Sequence, residues 1–222
     1  MSDTFTRRLA GITAIAYVVL AFAGSGIGGS SSPDLGATRA EIVKWAAAQH
    51  ASAGHIAGGF IELLGILSLV VFSAAAYSFF RSRENESGVL STIVLAGGLL
   101  SAGVKVASAM LVFPVLWRYH EGMSPQLTAA LVDGNNLAFV LTWSLDAVLL
   151  GAAAALILRT RALPRWTGWL AAVTAPVLLI STPAAAVVPP LGMLLAFAWF
   201  VAAGVALAVQ RRPAVVVDAV TA

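Results

Sequence analysis

Six long apolar runs, each close to the length that crosses a bilayer, leave this chain few ways to fold. A helix needs about 20 predominantly apolar residues to span the hydrocarbon core, and the runs cover residues 9–28, 55–80, 89–113, 137–158, 166–187 and 190–209. Hydrocarbon supplies no partner for peptide N–H and C=O groups, so only helices or closed barrels can span it. The expectation is an all-α, six-helix transmembrane bundle forming a single domain over residues 1–222. Only 10% of the 222 residues are charged and 59% are hydrophobic, against about 25% charged in soluble domains. Ser181-Thr182-Pro183 is expected to end the fifth helix early, and Val188-Pro189-Pro190 to turn the chain tightly into the sixth.

Basic residues predict the orientation. Arg7, Arg8, Arg81, Arg83, Arg159, Arg161, Arg165, Arg211 and Arg212 fall at one end of the predicted spans, whereas the other end has Arg39, Lys44 and Arg118. Lys/Arg excess in short loops marks the cytoplasmic side, so both termini are expected inside. Arg7-Arg8 followed by an apolar run and Ala21-Phe22-Ala23 imitates a cleavable secretory signal. The run continues past Ala23, however, and an uncleaved first span is expected. The basic balance is thereby accounted for without nucleic acid, which we exclude as a partner.

The two longer loops lie at the outer end. Thr38-Arg39-Ala40-Glu41 has the form of a capping box and predicts a short helix reaching about His50, with Ile42, Val43, Trp45 and Ala46 as its apolar side. In the second loop Ser124 is placed to cap, Pro125 suits the first helical position, and Gly134 is expected to stop a second short helix. Both are expected to rest on the outer mouth of the bundle.

Three ionisable residues interrupt the apolar runs: Glu62, Lys105 and Asp146. A charge at such depth costs at least a few kcal/mol and usually marks a binding site, a proton relay or an internal ion pair. At about 1.5 Å per residue, Glu62 should lie roughly 10 Å, Lys105 roughly 12 Å and Asp146 roughly 16 Å below the outer surface. They therefore share the outer half of the membrane and are expected to converge. Residues three, four or seven apart share a helix face. His55 and Glu62 fall on one side of the second run, with Gly58 and Gly59 between them. Ser101, Lys105 and Ser108 form a stripe on the third. Asn135, Phe139, Thr142 and Asp146 align on the fourth, bordered by Trp143. The aromatic residues Phe60, Phe139 and Trp143 flank the acids, and Phe197, Trp199 and Phe200 occupy the sixth run. Such rings can stabilise a cation in a site without water. Trp117, Tyr119, Trp166 and Trp169 fit an interfacial belt better.

Several chemistries are not supported by the residues present. The chain has no Cys, so it forms no disulfides and offers no thiolate. His50, His55 and His120 are too scattered to suggest a metal cage. No Asp-rich diphosphate motif, His-Glu-x-x-His helix or Gly-x-Ser-x-Gly elbow occurs. No cofactor is expected.

Two resemblances attach to particular residues. The run from Arg159 through Leu163-Pro164-Arg165-Trp166 to Gly168, with Arg8-Leu9-Ala10-Gly11, resembles an uncharacterised bacterial membrane family, which implies a bacterial plasma-membrane protein. Glu62 in Glu62-Leu63-Leu64-Gly65 and Asp146 in Trp143-Ser144-Leu145-Asp146 resemble the paired acids of the small integral-membrane terpene cyclases of meroterpenoid and indole-sesquiterpenoid pathways. That likeness implies protonation of an olefin or epoxide in a lipophilic isoprenoid. The predicted spans number six rather than the seven usual in the fungal enzymes, and Lys105 has no counterpart there.

The leading expectation is thus a cofactor-independent cyclase or isomerase. Asp146 would be its protonating acid and Glu62 its assistant or final base, with His55 or Asn135 relaying to outer water. Phe60, Phe139, Thr142, Trp143 and Lys105 would line the substrate. Lys105 should then lie nearer Glu62 than Asp146, because an ammonium favours ionisation of the acid beside it. The alternatives are a proton-coupled small-molecule transporter, and a lipid-binding or assembly protein in which the charges only neutralise one another. No usual inverted repeat is visible to favour transport. Membrane lipids are partners in every case; oligomeric state stays open.

Overall fold

A computed structural model describes residues 3–28, 32–49, 52–84, 87–185 and 190–209. Within them the chain is all-helical, with seven α-helices and no strand: α1 (Asp3–Gly28), α2 (Arg39–Ala48), α3 (Ala53–Arg81), α4 (Val89–Arg118), α5 (Pro125–Thr160), α6 (Arg165–Ser181) and α7 (Leu191–Val209). Five of them, α1, α3, α4, α5 and α7, are long and apolar enough to cross a membrane. The fifth run yields α6, of 17 residues. It ends at Ser181, where the Ser-Thr-Pro sequence breaks it. The expected Val188-Pro189-Pro190 turn falls mostly outside the described residues, as do His50, Arg211 and Arg212.

The six longer helices form a closed ring in the order α1, α3, α4, α5, α6, α7 and back to α1. Glycines set the closest seams. A Cβ on Gly58 would stand 2.5 Å from the Gly28 backbone, and one on Gly11 would stand 2.6 Å from the Gly204 carbonyl oxygen. Inside a bilayer there is little hydrophobic drive between helices, so close backbone approach by small residues supplies much of the packing. Phe72, Phe79, Phe80, Trp199, Phe200, Leu149 and Leu150 fill the interior. The Trp199 indole N–H donates to the Thr167 carbonyl at 3.0 Å, tying α7 to α6.

Both ends are fastened by polar contacts. At the Arg-rich end, Arg83 pairs with Asp3 at 3.1 Å and stacks 3.8 Å over the Phe79 ring. Gly88, at φ 69°, turns the chain into α4 where a side chain would collide with Arg81. The first turn of α4 is then capped by Glu84, whose carboxylate accepts from the Leu90 and Ser91 N–H groups and from the Ser91 hydroxyl. At the other end the Thr38–Glu41 capping box forms and opens α2. That helix docks on α5 and on the 3-10 turn Tyr119–Glu121 through Ile42, Ala46, Val115, Ala129 and Val132.

One expected boundary is overturned. Ser124 does cap, accepting from the Leu127 N–H, and Pro125 does begin the helix. Gly134, however, does not stop it, and α5 runs unbroken for 36 residues to Thr160. A glycine ends a helix when the chain turns left-handed there, and Gly134 keeps a negative φ. The first turns of α5 are held instead by α2, so the helix continues through Gly134 without a break.

Candidate functional site

Lys105 and Asp146 meet at the heart of the ring. Lys105 Nζ lies 3.1 Å from Asp146 Oδ2, and both residues are buried. The ammonium also donates to Ser101 Oγ at 2.5 Å, one turn earlier on α4. Ser108 donates to the Lys105 carbonyl, so the predicted Ser101–Lys105–Ser108 stripe is buried and locally hydrogen-bonded. The expectation that Lys105 stands nearer Glu62 is overturned: its ion-pair partner is Asp146.

The pair borders a cavity of about 10 Å³, lined by Tyr17, Lys105, Phe139, Thr142, Trp143, Asp146, Leu178, Met193, Ala196, Phe197 and Phe200. That is room for about one water molecule. Residues 139, 142, 143 and 146 share one face of α5 because they fall three, four and seven apart, and all four reach the cavity. The Thr142 hydroxyl is occupied by the Phe139 carbonyl at 2.6 Å. Rings from α1, α5 and α7 line the cavity. Tyr17 meets Phe200 edge-on at 5.1 Å and Phe197 at 5.9 Å, and Phe139 meets Trp143 at 6.5 Å.

Two polar atoms in this wall have no hydrogen-bond partner among the described residues: Asp146 Oδ1 and Trp143 Nε1. One is an acceptor, the other a donor, and they stand one turn apart on α5. Leaving such groups unmatched costs about 1–3 kcal/mol each, more for a charged group. The ion pair thus satisfies only one oxygen of a carboxylate whose residue also lines the water-sized cavity.

Glu62 does not join them. Its carboxylate is half-buried and accepts from Ser25 Oγ at 2.7 Å, on the seam between α3 and α1. A Cβ on Gly24 would overlap the Glu62 side chain, and Gly58 and Gly65 press against α1 on the same face. The expected convergence of both acids is therefore corrected. The signal was present in Gly58 and Gly65, four before and three after Glu62, which mark a helix seam rather than a pocket wall. Phe60 is 60% exposed on the outer face of the bundle. His55 Nδ1 lies 2.8 Å from the hydroxyl of Ser52, the residue that caps α3. Asn135 donates to Asn136, which in turn holds the Pro33 carbonyl at 2.8 Å. None of these four borders the cavity.

Sequence reasoning missed Tyr17, Leu178, Met193 and Ala196. Tyr17 sits among aliphatic residues in α1, and only its phenol within an apolar run could have flagged it.

No family model, curated protein or solved structure matches this chain. What it does must be argued from the geometry of the site.

Proposed function

We propose that this is a proton-coupled membrane carrier in which Asp146 exchanges a proton against Lys105. The observation that carries the reading is the bare, buried Oδ1 of Asp146, a residue that lines a water-sized cavity. A proton or a donor arriving there satisfies the oxygen and at the same time weakens the ion pair. Stranding one partner of a buried pair is costly, about 3–5 kcal/mol. Protonation would therefore disfavour the closed ring and bias it toward an arrangement that re-solvates the ammonium. A ligand or proton shifts a conformational equilibrium only by such differential stabilisation.

The topology in this reading has six crossings, both termini on the cytoplasmic side and a multi-pass place in the plasma membrane. The arginines at one end support that side as cytoplasmic. α6 would be a sixth, short crossing of about 25 Å at 1.5 Å per residue, with Trp166 and Trp169 at its entry.

The absence of Cys makes the test direct. An Ala196→Cys variant carries one thiol in the cavity wall, to be treated with a small water-soluble thiol reagent in proteoliposomes. Acidification, or Asp146→Asn in the same background, should speed its modification by about tenfold, the rate change that ~1.4 kcal/mol of added opening gives. Equal rates in all conditions would refute proton coupling.

A second reading draws on the rings of Tyr17, Phe139, Trp143, Phe197 and Phe200 around the carboxyl. Aromatic faces stabilise cations in desolvated sites, as proton-initiated cyclisation of a lipophilic isoprenoid requires. It needs a hollow far larger than the present cavity. An epoxide-bearing polyprenyl substrate turned over by the wild type and not by Asp146→Asn would favour it.

A further inference from the structure

At the Arg-rich end of the ring, the start of α6 lies beside the end of α7 and leaves an open apolar groove of about 490 Å³. Pro164, Trp166, Ala202, Val205, Ala206 and Val209 line it. Its size falls within the ~300–1,000 Å³ typical of small-molecule sites. No lining residue carries a charge and most are aliphatic, a wall suited to hydrocarbon.

Charge gathers in the chain segment that leads into the groove's wall. Arg159 lies in the last turn of α5, Arg161 follows the helix, and Arg165 stands between the lining residues Pro164 and Trp166; all three are exposed. The ion pairs among the described residues are Arg83–Asp3, Lys105–Asp146 and Arg118–Glu121, and none draws on these arginines. Nor does the surrounding sequence supply an acid, since no Asp or Glu occurs between Asp146 and Asp218. The α5–α6–α7 side is therefore purely cationic where it reaches the aqueous boundary.

Arg161 adds a separate observation. It closes α5 in the left-handed conformation, at φ 54° and ψ 30°, and is the one non-glycine with positive φ among the described residues. Glycine fills such a position with least strain. An arginine there is held in an unfavourable backbone conformation, three residues before the lining residue Pro164, a pattern typical of functional positions.

We propose that this groove binds an anionic phospholipid of the adjoining leaflet. One acyl chain would lie along Ala202, Val205, Ala206 and Val209. The headgroup phosphate would be held by Arg161 and Arg165, with Arg159 strengthening the local field. Guanidinium matches phosphate through paired N–H donors, and basic clusters beside membrane helices select anionic headgroups. Trp166 fits the boundary, with its ring against hydrocarbon and its N–H toward the headgroup.

Trp166 also reports the site. The full chain would be reconstituted with brominated phosphatidylglycerol or brominated phosphatidylcholine, and the Trp166 contribution isolated by difference from Trp166→Phe. The anionic lipid should quench that contribution with at least about fivefold higher relative affinity, the factor one basic residue near the surface supports. Arg161→Gln with Arg165→Gln should abolish the preference. Arg161→Gly should raise the unfolding temperature while weakening the preference, because it relieves the backbone and removes the guanidinium together. Equal quenching by the two lipids would overturn the proposal, as would a preference that survives the double substitution. Loss of the preference in millimolar inorganic phosphate would reassign the arginines to a free anion and likewise overturn it.

Discussion

Lys105 and Asp146 matter to each other more than their pair matters to the fold. Burying two ions costs several kcal/mol apiece, and their attraction does little more than return it. Lys105→Met alone, or Asp146→Leu alone, leaves an uncompensated charge and should cost about 3–5 kcal/mol of stability. The double variant should recover most of that loss, measured by unfolding in mild detergent, because no ion is left stranded. A double variant no more stable than either single one would mean that other groups hold the charges. Glu84 is a different case, lying between α3 and α4 outside the candidate spans. Partial burial raises its pKa, but the hydrogen bonds from Ser91 and Leu90 and the charge of Arg81 outweigh that, and its carboxyl sits below its ordinary 4.5. A lowered folded-state pKa stabilises above the ordinary value and loses that contribution as pH falls through the folded one. The wild type should therefore lose unfolding temperature below about pH 4.5 more steeply than Glu84→Gln, which starts lower at neutral pH. Parallel curves would remove Glu84 as the cap of α4. Among the site residues, the α5 row was legible because helical spacing alone aligns Phe139, Thr142, Trp143 and Asp146. Which acid meets Lys105 was not, because that depends on which helices are neighbours and how each is rotated.

Helix order is decided by the glycine seams, and they make a sharp contrast at the level of elements. Gly58 faces the Gly28 backbone and Gly204 lies 2.9 Å, by its missing Cβ, from the Gly11 carbonyl oxygen, whereas Gly26 on the same α1 has nothing within 4 Å. Backbone cannot step aside as a flexible side chain can. Gly58→Ala and Gly204→Ala should each cost about 1–3 kcal/mol, the range for overpacking. Gly26→Ala should be neutral or gain up to about 1 kcal/mol from helix propensity. Equal effects at all three positions would show that the seams are looser than described. Elements themselves were largely legible in the apolar runs and in the Thr38 and Ser124 caps. The failure at Gly134 has a physical source: local sequence offered a stop, but docking of α2 on Ala129 and Val132 keeps the next turn helical. Tertiary contact overrode propensity.

In the whole molecule, ring closure and charge asymmetry must agree, and α6 is where they can be tested against each other. At 17 residues it covers about 25 Å, slightly less than the ~30 Å hydrocarbon core. If α6 crosses, the chain reaches Pro190 on the side of α2, and α7 returns it to the arginines. If α6 only dips into the membrane and turns back, Pro190 lies with Arg165 and α7 ends on the opposite side. Single cysteines at Arg39, Gln126, Ser82, Arg165 and Pro190 separate these cases, since the wild type has no Cys. A membrane-impermeant maleimide applied to intact cells should label the Arg39, Gln126 and Pro190 positions. The Ser82 and Arg165 positions should react only after permeabilisation. Pro190 protected along with Arg165 would leave five crossings and split the termini. The ring argues against that outcome, because α7 packs on α1 through Gly11 and Gly204, near the first turns of α1 and the last turns of α7. That seam brings the start of one helix beside the end of the other. In the six-crossing reading, the short α6 is what returns the chain to the far side.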